Sequence, residues 1–354
     1  MKIALITDTH FGARKANVVF HEYFKKFYDD IFFPTIKERN IKNVIHLGDS
    51  FDNRKNVDFW ALDWAKEVVY DRLAQYNTKV YTIVGNHDVY FKNTNEINAI
   101  DSLLTSYNNI KHYSSATEVD IDGFKTLLMP WICQDNYKES MNTIKNSKSK
   151  VAFGHLELNG FSLFPGIVQT NAFMGLNPSY FQHFDVVFSG HYHTRSNDGK
   201  IFYLGNPYQM YWNDVDDPRG FHIFDTETFK LEFIQNPHTM FEKIYYDDTD
   251  VKSFDAENLK DKIVKVIVRN KSSQLQFDRY VDKINKSGCI DLKVVENFEI
   301  DDDDVEFSQE ECENTLTLLN KYIEDSDFDL DKTIVMDIMQ DVYREACELS
   351  LIHI

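Results

Sequence analysis

Short apolar runs alternate with amphipathic stretches through the first third of the chain. KIALIT at the start, NVIHL (43–47) and KVYTIV (79–84) read as strands. Between them, Val18–Arg39 and Val57–Gln75 repeat apolar residues at helical spacing, the second through Trp60, Trp64, Ala65, Val68, Val69 and Leu73. Asn95–Tyr107 predicts a third helix. Such alternation predicts an α/β sandwich, a two-sheet core flanked by helices. Strands dominate afterwards: 124–131, 150–155, 185–191, 200–205, 220–225 and 229–234. From about 240 to 297, strands MFEKIYY, KIVKVIVR and DLKVVENF alternate with helical stretches near 255–261 and in LQFDRYVDKIN, which predicts a small α+β module. Asp301–Asp304 reads as a solvated linker. Glu310–Leu351 carries two helical patterns broken at 326–331, and no internal repeat is evident.

Composition changes this picture little. A chain of 354 residues buries a full core and leaves residues for smaller modules. No apolar run approaches the roughly 18 residues of a membrane span, and the first residues lack a signal-peptide pattern. Cys133, Cys289, Cys312 and Cys347 are widely spaced, which suggests neither a disulfide framework nor a thiolate zinc site and fits a reducing cytoplasm. The net charge of −19 argues at first against a nucleic-acid partner. Its distribution reverses that argument. Residues Glu296–Asp331 hold fifteen acids and one base, Lys321, a net of −14, so the rest of the chain carries only about −5 and has room for a local basic groove.

The chemistry lies at the strand ends. Asp8 and His10 follow the first strand, and Gly48-Asp49 follows the second in GDSFDNRK. Gly85-Asn86-His87-Asp88 follows the third, Gly154-His155 follows KVAF, and Gly190-His191-Tyr192-His193 follows DVVFS. Open α/β sheets place their sites at the carboxyl ends of strands, and glycine allows close backbone approach there. Four histidines, two aspartates and an asparagine form a coherent ligand set for two borderline divalent ions, with an aspartate able to bridge them. Any one of these motifs alone is more often a turn or a cap; the joint pattern is the signal. His46, in mid-strand, is expected to be a satisfied core histidine instead.

The series DTH, GDSFD, GNHD, GH and GHYH resembles the calcineurin-like metallophosphoesterases. Within them it is similar to the SbcD-type DNA repair nucleases, above all their bacteriophage recombination-endonuclease branch, through GDSFDNRK, TIVGNHD, MPW, GHLELNGF, SGHYHT, YLGNP and DDPRGFHIFDTET. The likeness is strong over roughly 1–236. It implies a first metal held by Asp8, His10 and His193, a second held by Asn86, His155 and His191, and Asp49 bridging both. It implies that His87 protonates the leaving oxygen or stabilises charge, oriented by Asp88. Asp52, Arg54 and Lys55 are candidates for phosphate or DNA contact, although a carboxylate at Asp52 would more naturally bond a histidine or a backbone amide. The ions would be Mn2+, with Mg2+, Fe2+ or Zn2+ as alternatives.

The resemblance further implies a nuclease domain at 1–238, a capping domain at 239–298, an acidic linker at 299–309 and a helical tail at 310–354. That tail would bind the coiled coil of an SbcC-type ABC ATPase through the stripes Leu316, Leu319, Ile323 and Val335, Ile338, Met339, Val342. It implies DNA as substrate, a homodimer through 57–75 and 95–107, and work in the cytoplasm, a host's if the chain is of phage origin. Two other readings compete. A stand-alone phosphatase or small-substrate phosphodiesterase would suit the fold, but protein phosphatases of the group show GDxVDRG and GNHE. A non-enzymatic scaffold would need lost ligands, and none is missing.

Overall fold

In the computed structural model of the chain, residues 1–164, 167–169 and 175–296 are described, with Val335 and Met339 as single helical positions beyond them. Described residues up to 296 belong to one unit, Met1–Asp301. The expected linker and tail otherwise lie outside the described residues.

The strands in chain order are β1 (Lys2–Ile6), β2 (Asn43–His46), β3 (Lys79–Ile83), β4 (Ile110–Tyr113), β5 (Thr117–Ile121), β6 (Phe124–Met129), β7 (Val151–His155), β8 (Ser162–Phe164), β9 (Ile167–Val168), β10 (Val186–Gly190), β11 (Ser196–Asn197), β12 (Ile201–Tyr203), β13 (Gly220–Asp225), β14 (Leu231–Gln235), β15 (Phe241–Asp247), β16 (Ile263–Asn270) and β17 (Asp291–Val295). One six-stranded sheet runs β14-β13-β1-β2-β3-β4, parallel from β1 to β4 and antiparallel at β13 and β14. A second runs β11-β12-β10-β7-β6-β5, parallel through its centre.

The apolar runs of β1 to β3 are continuous because both faces are covered. Ile3, Leu5, Ile45, Leu47, Tyr81 and Ile83 face Leu128, Phe153 and Phe188 of the second sheet. The alternate residues Ala4, Ile6, Val44 and Val80 pack with Phe24, Phe27, Trp64 and Val68 from the helices. Two sheets with helices outside make the α/β sandwich that the pattern predicts.

Helix ends follow local chemistry. The Asn17 side chain accepts from Val19 N–H and opens a helical run to Glu38, with a π-turn at Tyr28–Phe32. Asp58 accepts from Trp60 and Ala61 N–H and opens the run Phe59–Gln75. Trp60, expected on the apolar face, is 39% exposed. The third expected helix shrinks from Asn95–Tyr107 to Ala99–Leu103. Asn95 instead donates to the carbonyls of Ser114 and Trp131, and Asn98 caps the helix from Asp101 N–H, so residues 95–98 are fixed as loop.

Strands β15, β16 and β17 form a separate parallel sheet. Its Tyr246, Val264, Val266 and Val268 pack against Phe277, Tyr280 and Ile284 of the helix Gln274–Asn285, a small core of its own. Among the described residues, no helix is long and apolar enough to cross a membrane.

Candidate metal centre

All five polar clusters meet at one end of the two sheets. The loops after β1, β2 and β3 bring Asp8, His10, Asp49, Asn86 and His87; β7, with the loop after β10, brings His155, His191 and His193. The backbone there is unusual. Asp8, His10, Asp49 and His191 all have positive φ, at 51°, 44°, 55° and 86°. Asp and His tolerate that region better than bulkier residues do, and such strain collects at functional sites. The loops also approach very closely. A Cβ added at Gly85 would lie 2.1 Å from Asp49 Oδ1 and 2.3 Å from its nitrogen, so only glycine fits under the carboxylate.

Two donor triads meet at Asp49, which belongs to the second and faces His10 of the first. One comprises Asp8, His10 and His193; His10 Nε2 lies 3.1 Å from His193 Nε2 and 3.9 Å from Asp49 Oδ2, and His193 Nε2 lies 3.9 Å from Asp8 Oδ1. The other comprises Asp49, His155 and His191. Asn86 Oδ1 sits 2.7 Å from His155 Nε2 and 2.9 Å from His191 Nδ1, and His155 Nε2 is 3.2 Å from Asp49 Oδ2. Asp49 Oδ2 thus faces a nitrogen of each set, while its Oδ1 accepts from His87 N–H at 2.8 Å. A third combination, His10, Asp49 and His87, also lies within ligand reach.

This geometry fits metal ions. Ligands bonded at roughly 2.1 Å stand about 3 Å apart, as the facing donors do here. Two imidazole nitrogens turned toward each other need a proton or a cation between them. Nitrogen and oxygen donors without thiolate suit borderline divalent metals. Backbone and hydroxyl groups aim the ligands: His155 Nδ1 lies 2.7 Å from the Leu47 carbonyl, and Thr7 Oγ1 donates to Asp8 Oδ2 at 2.6 Å.

The electrostatics describe the ligands before a metal arrives. Burial opposes charge on His10, yet its bond to Asp52 and the charges of Asp49, Asp52 and Asp8 raise its pKa to about 9. Burial is likewise outweighed at His155, where Asp49 and Asp8 raise it to about 9. Burial, with the charge of His155, pushes His191 down to about 3. Burial and the charge of His10 hold His193 well below the usual range. Although burial opposes its ionisation, Asp49 is held well below the usual carboxylate range by His155, His87 and His10.

One expected role changes. Asp88 does not orient His87. Its carboxylate accepts backbone N–H groups from Asp49, Ser50, Phe51 and Gly85 at 2.9–3.1 Å, tying the second and third loops together. Burial and the charge of Asp49 push its pKa up to about 7, against the pull of those amides. His87 is aimed instead by the Asp52 carbonyl, 2.6 Å from its Nδ1, because adjacent side chains leave the backbone in different directions. Asp52 uses its carboxylate on a histidine, 3.2 Å from His10 Nδ1.

Arg54 is half-buried, its guanidinium carbon 5.4 Å from the centre of the Trp131 ring, and Lys55 is exposed. His46 behaves as a core histidine: burial pushes it down to about 3, and it lies 3.0 Å from Thr9 Oγ1. Thr7 and Arg219 are site residues without an assigned role in the motifs. Arg219, 4% exposed, bonds the His193 carbonyl, Asn206 and Asp214, fixing the loop that carries His193. Its signal was present in DDPRG, but nothing in that string connects it to a histidine 26 residues earlier.

Comparison with known proteins agrees with this centre. A family model described as calcineurin-like phosphoesterase matches residues 1–195. Exonuclease subunit 1 of Enterobacteria phage T4 is 34% identical over 330 residues, covering 91% of this chain and 92% of that protein. The DNA double-strand break repair protein Mre11 of Methanocaldococcus jannaschii is 28% identical over 284 residues, covering 74% of this chain and 70% of that protein. Among solved structures, a novel archaeal phosphodiesterase aligns at 17% identity and a TM-score of 0.34, over 67% of this chain and 100% of that chain. With a family match over more than half its length, set on a buried cluster of converging metal donors, the chain belongs to the calcineurin-like metallophosphoesterases.

Proposed function

We propose that the chain is a two-metal DNA exonuclease and endonuclease, the nuclease subunit of a recombination and repair complex. The observation that carries this reading is Asp49 Oδ2, one buried oxygen facing both donor triads. Asp8, His10 and His193 would hold one divalent ion, Asn86, His155 and His191 the other, and Asp49 both. Manganese is the ion we favour, with magnesium, iron and zinc as competitors. When bound, such a pair supplies charge stabilisation and an activated water for in-line phosphoryl displacement. His87, fixed through Nδ1 by the Asp52 carbonyl, keeps Nε2 to hold or pass a proton at the leaving oxygen. Asp88 keeps the two ligand loops in register.

DNA as substrate is supported by the relatives, one named an exonuclease subunit and the other a DNA double-strand break repair protein. The word subunit also supports a partner. We assign that role to an SbcC-type ABC ATPase held by residues 310–354, with 239–298 as a cap beside the site and cytoplasmic work. A homodimer through 57–75 and 95–107 is supported by Phe59, 88% exposed, with Trp60 and Ile97 also exposed.

The test is the purified chain with manganese on labelled duplex and single-stranded DNA, against a small aryl phosphodiester. Metal-dependent DNA cleavage is expected. Hydrolysis of the aryl diester with no DNA cleavage would favour the small-substrate reading.

A further inference from the structure

Beside the loop that follows His155 lies a groove of about 1010 Å³, lined by none of the metal ligands. That volume is at the top of the range for small-molecule pockets. Three aromatic rings line it: Trp131, just after β6; Tyr137, at the start of the helix Tyr137–Asn146; and Tyr180, in the short helical turn Pro178–Phe181. Tyr137 and Tyr180 stand side by side and are 41% and 45% exposed.

The groove joins the metal centre through backbone and side chain alike. Trp131 N–H donates to the carbonyl of Val84, two residues before Asn86, at 2.8 Å. Glu157, on the groove wall, follows His155 by two residues. Arg54, five residues after Asp49 on GDSFDNRK, lies over the Trp131 ring.

Its charges are balanced. Lys92 and Lys138 line the groove, but so do Asp135 and Glu157. A surface built to hold phosphates would be strongly basic. This one offers ring faces beside polar groups of both signs, the chemistry that stacks on nucleobases. Bases inside a duplex already stack on each other, so free ring faces select unpaired bases.

We infer that this groove is the base-binding track for a single DNA strand adjoining the scissile phosphate, with Trp131, Tyr137 and Tyr180 as stacking platforms. The inference rests on the DNA reading of the metal centre. It makes single-stranded ends and unpaired segments the preferred substrate, held more by bases than by phosphates. Affinity for the strand should therefore depend less on salt than phosphate-dominated binding does.

The test uses the full chain with manganese. For the double variant Tyr137→Ala/Tyr180→Ala, the KM for a single-stranded oligonucleotide should rise roughly ten-fold or more, because each lost stack weakens binding several-fold. Its kcat/KM on a small aryl phosphodiester should be unchanged, since that substrate does not reach the groove. In the wild-type chain, an oligonucleotide with abasic sites on the strand adjoining the cut should bind as weakly as the normal strand binds the variant. Equal binding of abasic and normal strands by the wild type would overturn the inference. So would an unchanged KM in a double variant that retains diester hydrolysis. A wild-type chain that hydrolyses the diester but cuts no DNA would overturn the DNA reading itself, and the groove with it.

Discussion

The metal pocket and the groove share the chain segments that follow β3 and β7, yet they are built on opposite terms. In the pocket, charged and polar side chains are buried against one another. Asp49 touches His10, His87 and His155, and Asp88 holds four backbone amides. In the groove, aromatic rings from separate elements face solvent across balanced charges. An interlocked set responds as a unit, whereas separated surface groups respond additively. The contrast assigns chemistry to the pocket and choice of substrate to the groove.

Asp49→Ala should break the contrast most. It removes the ligand and negative charge proposed to serve both ions at once, so activity should disappear and metal content, read by mass spectrometry, should fall more than for any other single ligand change. Near-normal turnover with two ions per chain would remove the bridging role. His87→Ala should lower kcat on DNA by roughly 10²–10⁴-fold, the usual worth of a general acid or base, with both metals retained. A metal-depleted variant would instead make His87 a ligand, as its closeness to His10 and Asp49 permits.

Asp88→Asn places an amide where an oxygen accepts two backbone N–H groups. Urea unfolding should show a loss of about 3 kcal/mol, in line with breaking charge-assisted buried hydrogen bonds. An unchanged midpoint would mean that the loops are held in register by other contacts.

The effect of pH is smaller and has a definite sign. His10 and His155, with pKa raised to about 9, carry protons at neutral pH in the metal-free chain, and both must lose one to bind metal through nitrogen. Metal affinity should rise with pH until about 9, and titration calorimetry in buffers of different ionisation enthalpy should detect proton release. No dependence on the buffer would contradict this. Smallest of all, Lys55→Ala should change the KM for DNA only a few-fold, as expected of one exposed phosphate contact.

Most of the pocket was legible because its residues sit next to strand ends, where a continuous apolar run stops at a glycine or a polar residue. Asp8, His10, Asp49, Asn86, His155, His191 and His193 could all be named from that pattern with the family resemblance. What remained hidden was whatever the backbone does. The Asp52 carbonyl that aims His87 and the Leu47 carbonyl that faces His155 belong to no side-chain motif. Asp88 was misjudged because adjacency in sequence suggested a side-chain pair, while its carboxylate turns toward amides. The helix expected over 95–107 failed because Asn95 and Asn98 bond loop and cap groups, a choice that periodicity does not register. The groove was invisible for a different reason: Trp131, Tyr137 and Tyr180 come together only through the packing of three separate elements.

The central claim is that two ions share Asp49, and anomalous scattering from manganese-soaked crystals tests it most directly. The account predicts two peaks roughly 3.5–4 Å apart, with Asp49 Oδ2 between them, Asp8, His10 and His193 on one, and Asn86, His155 and His191 on the other. A single peak, or an ion held by His10, Asp49 and His87, would contradict it.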